Sequence, residues 1–389
     1  MKINILTTAG RMPSGTHRML FEYANHLVLR SHQVTLIKSL GEKSWRMPKG
    51  LRERIYRQSK KGLKRLAHRI SGPEVRDYRV PWFHSKAEFI IVPSLAEKYL
   101  PDADILLFST PLPVSVLTRI PDRKGRPVMR VSDVVSSSSF IAHLPVEIPL
   151  IAISSLDKSL LSERFPERKF FVCVNGVNTN FFSYPERIFK PAEVIGMLFR
   201  QGRRTYRGMD DGVAALQLIH RKYPHLKFRS AGFRREEWLP DFIEFRNVSR
   251  THFYPRLFQE EWLPDVDFIE FWNEYEQRRL VDFYCSLDIC LFPSRIESCP
   301  NPPMEALACK CALVSTEVGG IDDFTVPGKT ALVVPPGRPE LLAEKVITLI
   351  ENPLMLKEIA LAGYQKIQDF SLEKQAAVLE EILKGLSNP

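Results

Sequence analysis

The chain has 389 residues, of which 44% are hydrophobic and 26% are charged. This composition excludes a disordered or fibrous protein, and the length exceeds one ordinary hydrophobic core, so two domains are expected. No apolar run approaches the roughly eighteen residues of a membrane-spanning helix. The apolar block at residues 3–6 is too short for a secretory leader. We therefore expect a cytoplasmic protein.

The net charge of +10 is unevenly distributed, since residues 1–180 hold 29 Lys and Arg against 15 acids while the remainder holds 26 against 30. The basic half is expected to face an anionic partner. Residues 46–79 contain twelve Lys and Arg, three acids and an apolar stripe. This pattern is typical of a segment that binds an anionic membrane surface or a polyanion, and equally of a solvated surface helix. Nucleic acid is not an expected partner, because no nucleic-acid-binding motif or aromatic platform accompanies the charge.

Five of the six cysteines lie between Cys285 and Cys311, without a C-x-x-C spacing or paired histidines. We expect buried, hydrophobe-like cysteines, with a metal site as the alternative.

The first half of the chain opens with a strand at 2–8, a glycine-containing loop at 10–15, a helix at 16–30 and a strand at 33–37. The loop lacks the G-x-G-x-x-G of dinucleotide binders, so no nicotinamide or flavin cofactor is expected. Four further strands alternate with helical stretches, which predicts a parallel sheet. They are predicted at 88–92, 103–109, 127–132 and 150–154.

The second half follows a linker at 184–193 and opens with a strand at 194–199 and a basic loop at 200–208. Arginine forks suit phosphate oxygens, so the loop is a candidate phosphate site. Further on, the sequence Glu-Glu-Trp-Leu-Pro-Asp at 236–241 recurs at 260–265. This duplication is too short for a repeat architecture, and we expect a surface excursion over 236–271.

Residues 294–305 carry the strongest signal. The apolar run at 288–294 predicts a buried parallel strand. Asn301 suits an N-cap, and the Pro302-Pro303 pair suits the first turn of a helix. Glu297 would then lie on the loop at the carboxyl end of the strand and Glu305 inside the helix, where open α/β sheets bind ligands. The helix N-terminus is expected to attract phosphate.

These two glutamates resemble the E-x7-E signature of retaining glycosyltransferases of family 4. The flanking sequences at 305–309, 318–321 and 327–337 are similar to that family in order and spacing. The resemblance implies an α/β fold of GT-B type, with two facing Rossmann-like domains and a cleft between them. It implies domains at 1–183 and 194–370, and a C-terminal helix at 371–389 that packs back on the first domain.

The resemblance also implies roles for individual residues. Glu297 would contact the donor sugar as the catalytic carboxylate, and Glu305 would hold the ribose. Asp133 would contact the acceptor. The remaining candidates would bind the donor, or in the case of the two glycines the donor or acceptor: Arg203, Arg204, Arg207, Ser298, Cys299, Pro300, Asn301, Gly10 and Gly15.

Three positions depart from the family pattern. Ser132 stands where relatives often have a catalytic-loop histidine, and Met197 stands where an arginine is common. Ser298-Cys-Pro300 replaces the usual Gly-Phe-Gly, which leaves the fit of the donor open.

The expected function is retaining transfer of a sugar from a nucleotide-diphosphate sugar, UDP- or GDP-linked, to a glycan or lipid-linked hydroxyl acceptor. Bacterial cell-surface polysaccharide or glycolipid synthesis is the expected setting, on the inner face of the membrane and without metal or other cofactor. Two alternatives stay open. One is a non-catalytic GT-B protein that binds anionic lipid or polyanion, and the other is a glycoside hydrolase, which also uses paired carboxylates.

Overall fold

A computed structural model describes residues 1–8, 15–40, 83–109, 112–198, 207–231, 269–272 and 277–387. The chain forms two compact units, Met1–Gly176 with Leu372–Pro389, and Val177–Ser371. Within the described ranges, no helix has the length and apolar character needed to cross a membrane.

The first unit contains a seven-stranded sheet in the order β3-β2-β1-β4-β5-β6-β7. All of its strand pairs are parallel, as the sequence predicts. The strands are β1 Lys2–Leu6, β2 Gln33–Ser39, β3 Glu88–Val92, β4 Ala103–Phe108, β5 Lys124–Val131, β6 Leu150–Ala152 and β7 Phe170–Val172. The helices are α1 Gly15–Leu29, α2 Val114–Leu117, α3 Val134–Ile141 and α4 Ser155–Arg164.

The second unit contains a six-stranded parallel sheet in the order β10-β9-β8-β11-β12-β13. The strands are β8 Val194–Leu198, β9 Lys227–Ala231, β10 Ile269–Trp272, β11 Ile289–Phe292, β12 Ala312–Thr316 and β13 Leu332–Val334. The helices are α5 Met209–Lys222, α6 Gln277–Cys285, α7 Asn301–Ala308, α8 Ile321–Phe324, α9 Pro339–Glu351 and α10 Pro353–Ile367.

The strand order of the second sheet defines where a ligand site can form. The chain moves outward from β8 to β10 on one side and then crosses to β11 on the other. The connections that follow β8 and β11 therefore lead to opposite sides of the sheet order, towards β9 and β12. In open α/β sheets, a crevice for ligands lies at this switch point.

Residues 177–193, which include the expected linker, group with the second unit. Arg187 fixes part of this segment, since its Nη1 donates to the carbonyl of Cys309 at 3.3 Å and its Nη2 lies 3.2 Å from Asp288 Oδ1. The guanidinium thereby connects the segment to the end of α7 and the start of β11.

The last helix, α11 Leu372–Ser387, belongs to the first unit. Its apolar face packs into the same core as α1 and the central strands. The residues on this face are Leu372, Ala376, Leu379, Leu383 and Leu386. Burial of such a face stabilises a helix far more than intrinsic propensity does.

Glu380, on the same helix, is 4% exposed and is contacted by three basic side chains. His32 Nε2 and Lys384 Nζ lie 2.8 and 2.6 Å from its carboxylate, and Arg30 Nε forms a further ion pair. Burial alone raises the pKa of Glu380, but hydrogen bonds from Lys384, Arg30 and His32 outweigh it and lower the pKa to about 2. The carboxylate is therefore charged at neutral pH and fastens α11 to the end of α1.

Because this pKa lies below that of an unfolded glutamate, the contribution of Glu380 to stability is present above about pH 4.5 and is lost as the pH falls towards 2. We expect Glu380→Gln to lower the free energy of unfolding at pH 7 by about 2–3 kcal/mol. Its stability should also vary less with pH between about 4.5 and 2. Urea denaturation across this range measures both effects. Glu381→Gln, at an exposed position on the same helix, is the control. Equal behaviour of the two variants would contradict the assignment.

The cysteines behave as the sequence predicts, since Cys173, Cys290, Cys299, Cys309 and Cys311 are buried and Cys285 is half-buried. Burial raises the pKa of Cys311 to about 12, which keeps its thiol protonated. No cluster of His, Cys, Asp and Glu suited to a metal ion occurs in the described ranges.

Candidate functional site

Three loops meet at the carboxyl edge of the second sheet. One leads from β8 into α5, one follows β11, and one follows β12. The candidate site is built from their side chains together with helix α7.

Gly208 controls how closely the first two loops approach. It is the N-cap of α5 and has a φ of +60°. A Cβ atom at this position would collide with the carbonyl of Pro293 on the loop after β11. Only glycine combines this left-handed backbone with such a close backbone contact. The approach places Arg207 next to Glu297.

Arg207 and Glu297 form an ion pair between Nη1 and Oε1, with side chains 37% and 10% exposed, respectively. The same carboxylate oxygen accepts a hydrogen bond from Ser294 Oγ at 3.1 Å. Because Ser294 is fully buried, it holds the carboxylate from the protein side. The guanidinium and the carboxylate are thus a charged pair at the surface of the site.

A second ion pair lies behind the first. Arg295 Nε and Nη2 each donate to one oxygen of Asp211 at 2.6 Å, in a two-pronged arrangement. Their side chains are only 10% and 2% exposed. Asp211 lies in the first turn of α5 and Arg295 on the loop after β11. The pair therefore fastens these two segments together beneath Arg207 and Glu297.

The loop after β12 supports the backbone of Glu297 from the other side. Gly319 has a φ of +55°, and a Cβ atom there would collide with the carbonyl of Glu297. The next amide, that of Gly320, donates to the carbonyl of Ser298 at 2.6 Å. The loop after β12 therefore holds the main chain at 297–298, while Arg207 contacts the side chain of Glu297.

Helix α7 starts one residue earlier than the sequence predicts. Its N-cap is Pro300, with extended backbone, so Asn301 is the first helical residue and its prediction as N-cap is wrong. Pro302 and Pro303 are therefore the second and third helical residues, whose N–H groups a capping side chain would bind, and proline has no N–H to donate. For the same reason, the helix N-terminus offers few N–H groups to a phosphate.

Glu305 lies in α7, as predicted, and is 2% exposed. Tyr284 Oη donates to its Oε2 at 2.9 Å. A buried carboxylate requires hydrogen-bond donors, and the phenol on α6 supplies one and orients the group.

The other predicted residues are distributed as follows. Ser298, Cys299 and Pro300 lie between Glu297 and α7, with Cys299 and Pro300 buried. Asp133 and Gly15 lie in the first unit. The carbonyl of Asp133 accepts from the amide of Ser137 at 3.0 Å as α3 begins. The prediction that Gly15 belongs to a loop is wrong, because Gly15 is the first residue of α1. Glycine is tolerated at this position because the first N–H groups of any helix lack partners within the helix. Gly10, Arg203, Arg204, the segment 46–79 and residues 236–268 of the duplication lie outside the described residues.

Sequence reasoning missed three residues that shape the site: Asp211, Arg295 and Tyr284. Each contributes through a partner far along the chain, 84 residues away for Arg295 and Asp211 and 21 for Tyr284 and Glu305. The only local signal was the position of Arg295, two residues before Glu297.

Comparison with known proteins finds similarity over the region that contains this candidate site. A family model described as "Glycosyl transferases group 1" matches residues 193–352, most of the second unit. The D-inositol 3-phosphate glycosyltransferase of Rhodococcus erythropolis is 32% identical over 28% of this chain and 25% of its own length. The first curated relatives are matched over a quarter to a third of their length. The family model and these relatives are those of glycosyltransferases.

Solved structures extend the comparison to both units. The HepE protein of Anabaena, solved in complex with UDP-glucose, has a TM-score of 0.66 at 15% identity and aligns with 99% of this chain and 100% of its own. TarM of Staphylococcus aureus, solved with UDP and alpha-GlcNAc-glycerol, has a TM-score of 0.68 at 13% identity over 100% of both chains. The chain has a GT-B-type fold. The predicted fold class, α/β with two Rossmann-like parallel sheets, is confirmed.

The support of Glu297 by Gly319 leads to a stability prediction. Replacement by alanine imposes left-handed backbone strain of about 1–2 kcal/mol at either Gly319 or Gly328. Gly328, with a φ of +76°, has open space around it and is the matched control. We expect Gly319→Ala to lose a further 1–3 kcal/mol or so of unfolding free energy in urea, because the Glu297 backbone must move. Equal losses would show that the loop yields without cost.

Proposed function

We propose that the protein is a retaining glycosyltransferase that transfers a sugar from a UDP- or GDP-linked donor to a hydroxyl of a glycan or lipid-linked acceptor. The observation that carries the proposal is the meeting of Arg207 and Glu297 at the switch point of the second sheet, with Glu305 buried in the adjoining helix. This is the edge at which open α/β sheets bind ligands.

Arg207 is the described residue best placed for the donor diphosphate. Its guanidinium is partly exposed, permanently charged and able to bind two phosphate oxygens at once. Arg203 and Arg204 precede it in the same loop and are proposed to add positive charge. Such groups stabilise the diphosphate as negative charge develops on it in the transition state. Cationic side chains would supply this stabilisation without a metal, since the prolines of α7 leave few N–H groups at its N-terminus.

The two glutamates take different parts of the donor in this proposal. Glu297 lies beside the phosphate-binding arginine, which suits a contact with sugar hydroxyls. Glu305, oriented by Tyr284, is proposed to accept hydrogen bonds from the ribose. Ser298 and Asn301 lie between the two along the chain, so their polar groups are proposed to contact the donor, with Cys299 and Pro300 shaping the wall. Asp133 remains a proposed catalytic residue on the acceptor side, and Gly10 and Gly15 remain proposed contacts of the donor or the acceptor.

Synthesis of a cell-surface polysaccharide or glycolipid is the proposed setting. The structure of a TarM mutant in complex with Fondaparinux, alpha-GlcNAc-glycerol and UDP supports the proposal, since that protein binds a glycoside and a nucleoside diphosphate. The basic balance of residues 1–180 fits an anionic, lipid-linked or phosphate-containing acceptor.

Donor-dependent turnover tests the proposal. UDP- and GDP-sugars are screened with glycan and lipid-linked acceptors, and both the nucleoside diphosphate and the glycoside are measured. A product that keeps the anomeric configuration of the donor, by NMR, supports retaining transfer. Release of sugar from a simple glycoside without any nucleotide would support the hydrolase alternative. Binding of anionic lipid without turnover of any donor would support the non-catalytic one.

Glu305 gives a specific prediction. Glu305→Gln should weaken UDP or GDP binding roughly tenfold or more, because a hydrogen bond to a charged group contributes about 1.5–3 kcal/mol. Isothermal titration calorimetry measures the change. Tyr284→Phe is the matched control, since it removes the hydroxyl that orients Glu305 but keeps the carboxylate, and it should weaken binding less. Unchanged nucleotide affinity in Glu305→Gln would exclude Glu305 from the binding site.

Peripheral membrane attachment through residues 46–79 is part of the proposal and rests on their sequence alone. Each Lys or Arg near an anionic surface contributes about 1 kcal/mol, within a Debye length of roughly 8 Å at physiological salt. Binding to anionic vesicles should therefore weaken with salt and when Lys60, Lys61, Lys64 and Arg65 become glutamate. Charge reversal of the exposed Lys329 and Lys357 is the control. Failure to co-sediment with anionic vesicles at low salt would favour a solvated segment.

A further inference from the structure

The carboxylate of Glu297 is engaged by the residue proposed to bind the donor phosphates. Arg207 Nη1 and Ser294 Oγ both contact Glu297 Oε1. Ser294 is buried and anchored beside the sheet, whereas the Arg207 side chain is 37% exposed. Of the two partners, Arg207 is therefore the one that can turn towards an incoming anion while Glu297 stays in place.

We propose that the Arg207–Glu297 ion pair determines ligand specificity by exchange, so that the site prefers an intact nucleotide sugar over the bare nucleoside diphosphate. The exchange presupposes that the second unit binds a nucleotide sugar, as proposed above. The diphosphate takes Arg207 from Glu297, and the sugar hydroxyls then take the place of Arg207 on the carboxylate. An intact donor therefore supplies a new partner for both Arg207 and Glu297.

A bare nucleoside diphosphate supplies a new partner for Arg207 only. It occupies Arg207 but leaves the Glu297 carboxylate, only 10% exposed, without its cation and close to the phosphate charge. Unpaired charge with little access to water is unfavourable, and like charges repel. The ion pair therefore competes with the diphosphate and opposes binding of the product.

The same competition favours release of the nucleoside diphosphate after sugar transfer. After transfer, the sugar leaves Glu297 with the acceptor, and the carboxylate is again available to Arg207. Re-formation of the ion pair then weakens the hold on the nucleoside diphosphate. Product release limits turnover in many well-evolved enzymes. The exchange assists release of the nucleoside diphosphate.

The test measures the affinity of the full-length protein for UDP and GDP by calorimetry. Glu297→Gln removes the competing charge and should tighten binding of the nucleoside diphosphate by roughly two- to fivefold, the range expected for a partly exposed ion pair. Glu297→Asp keeps the charge but withdraws it by one methylene, and should tighten binding to a smaller extent. Neither variant should bind the intact nucleotide sugar more tightly than the native protein does.

Two comparisons separate the exchange from general electrostatics. Glu317→Gln removes one negative charge from an exposed residue directly after β12, at the same edge of the sheet, and should leave the affinity unchanged. In an Arg207→Gln background, which itself weakens binding, Glu297→Gln should no longer tighten it. A double-mutant cycle of this kind isolates the term that belongs to the pair.

The outcomes distinguish this inference from the function on which it rests. Native protein that binds neither UDP nor GDP overturns the proposed function and the exchange with it. Native binding that Glu297→Gln leaves unchanged or weakens overturns the exchange alone. The same holds if Glu317→Gln tightens binding as much as Glu297→Gln, or if the gain persists without Arg207.

Discussion

The close approach of the first turn of α5 to the loop after β11 is the constraint on which the candidate site depends. Two features enforce it, the left-handed Gly208 against the carbonyl of Pro293 and the buried pair of Arg295 and Asp211. Removal of one partner of a buried ion pair typically costs about 3–5 kcal/mol, because the other charge is left uncompensated. If the two loops lay elsewhere, Arg295 and Asp211 would be exposed to solvent or buried without an ion-pair partner. The pair therefore specifies one arrangement of the loops rather than simply adding stability.

This arrangement brings two arginines and three acids to one edge of the second sheet. Arg207 and Arg295 face Glu297 and Asp211, and the first turn of α5 holds a further acid, Asp210. Acids at a helix N-terminus satisfy its dipole and reduce its attraction for a phosphate. The prolines of α7 limit the other helix N-terminus in the same region. Affinity for a diphosphate therefore has to come from arginine side chains, and both Arg207 and Arg295 are already paired with acids.

Sequence reasoning located the parts of this site that depend on local pattern. The apolar run before Ser294 could be assigned to a buried parallel strand, which placed Glu297 on a loop, and the proline pair placed Glu305 in a helix. The predicted start of this helix was wrong by one residue, because Asn301 is the first helical residue and Pro300 is the N-cap. Contacts between segments that are distant in the sequence could not be predicted from local pattern. Arg295 pairs with Asp211, and Tyr284 with Glu305, only because the sheet brings β8, β11 and the surrounding helices together.

The departures from the family pattern acquire a physical meaning in this structure. Ser298-Cys-Pro300 lacks the glycines of relatives, but close packing against the Glu297 backbone is provided from another loop by Gly319. Met197 replaces a common arginine and is 1% exposed within the core of the second unit, where its side chain packs among apolar residues. A cation at that position would require an ion-pair partner or access to solvent. Met197 places an uncharged thioether there instead. The positive charge proposed to hold the donor is thereby shifted from the strand to the loop that ends at Arg207. A cation on that loop is within reach of Glu297, which makes the ion pair, and its proposed exchange with a nucleotide sugar, a consequence of where this chain carries its arginines.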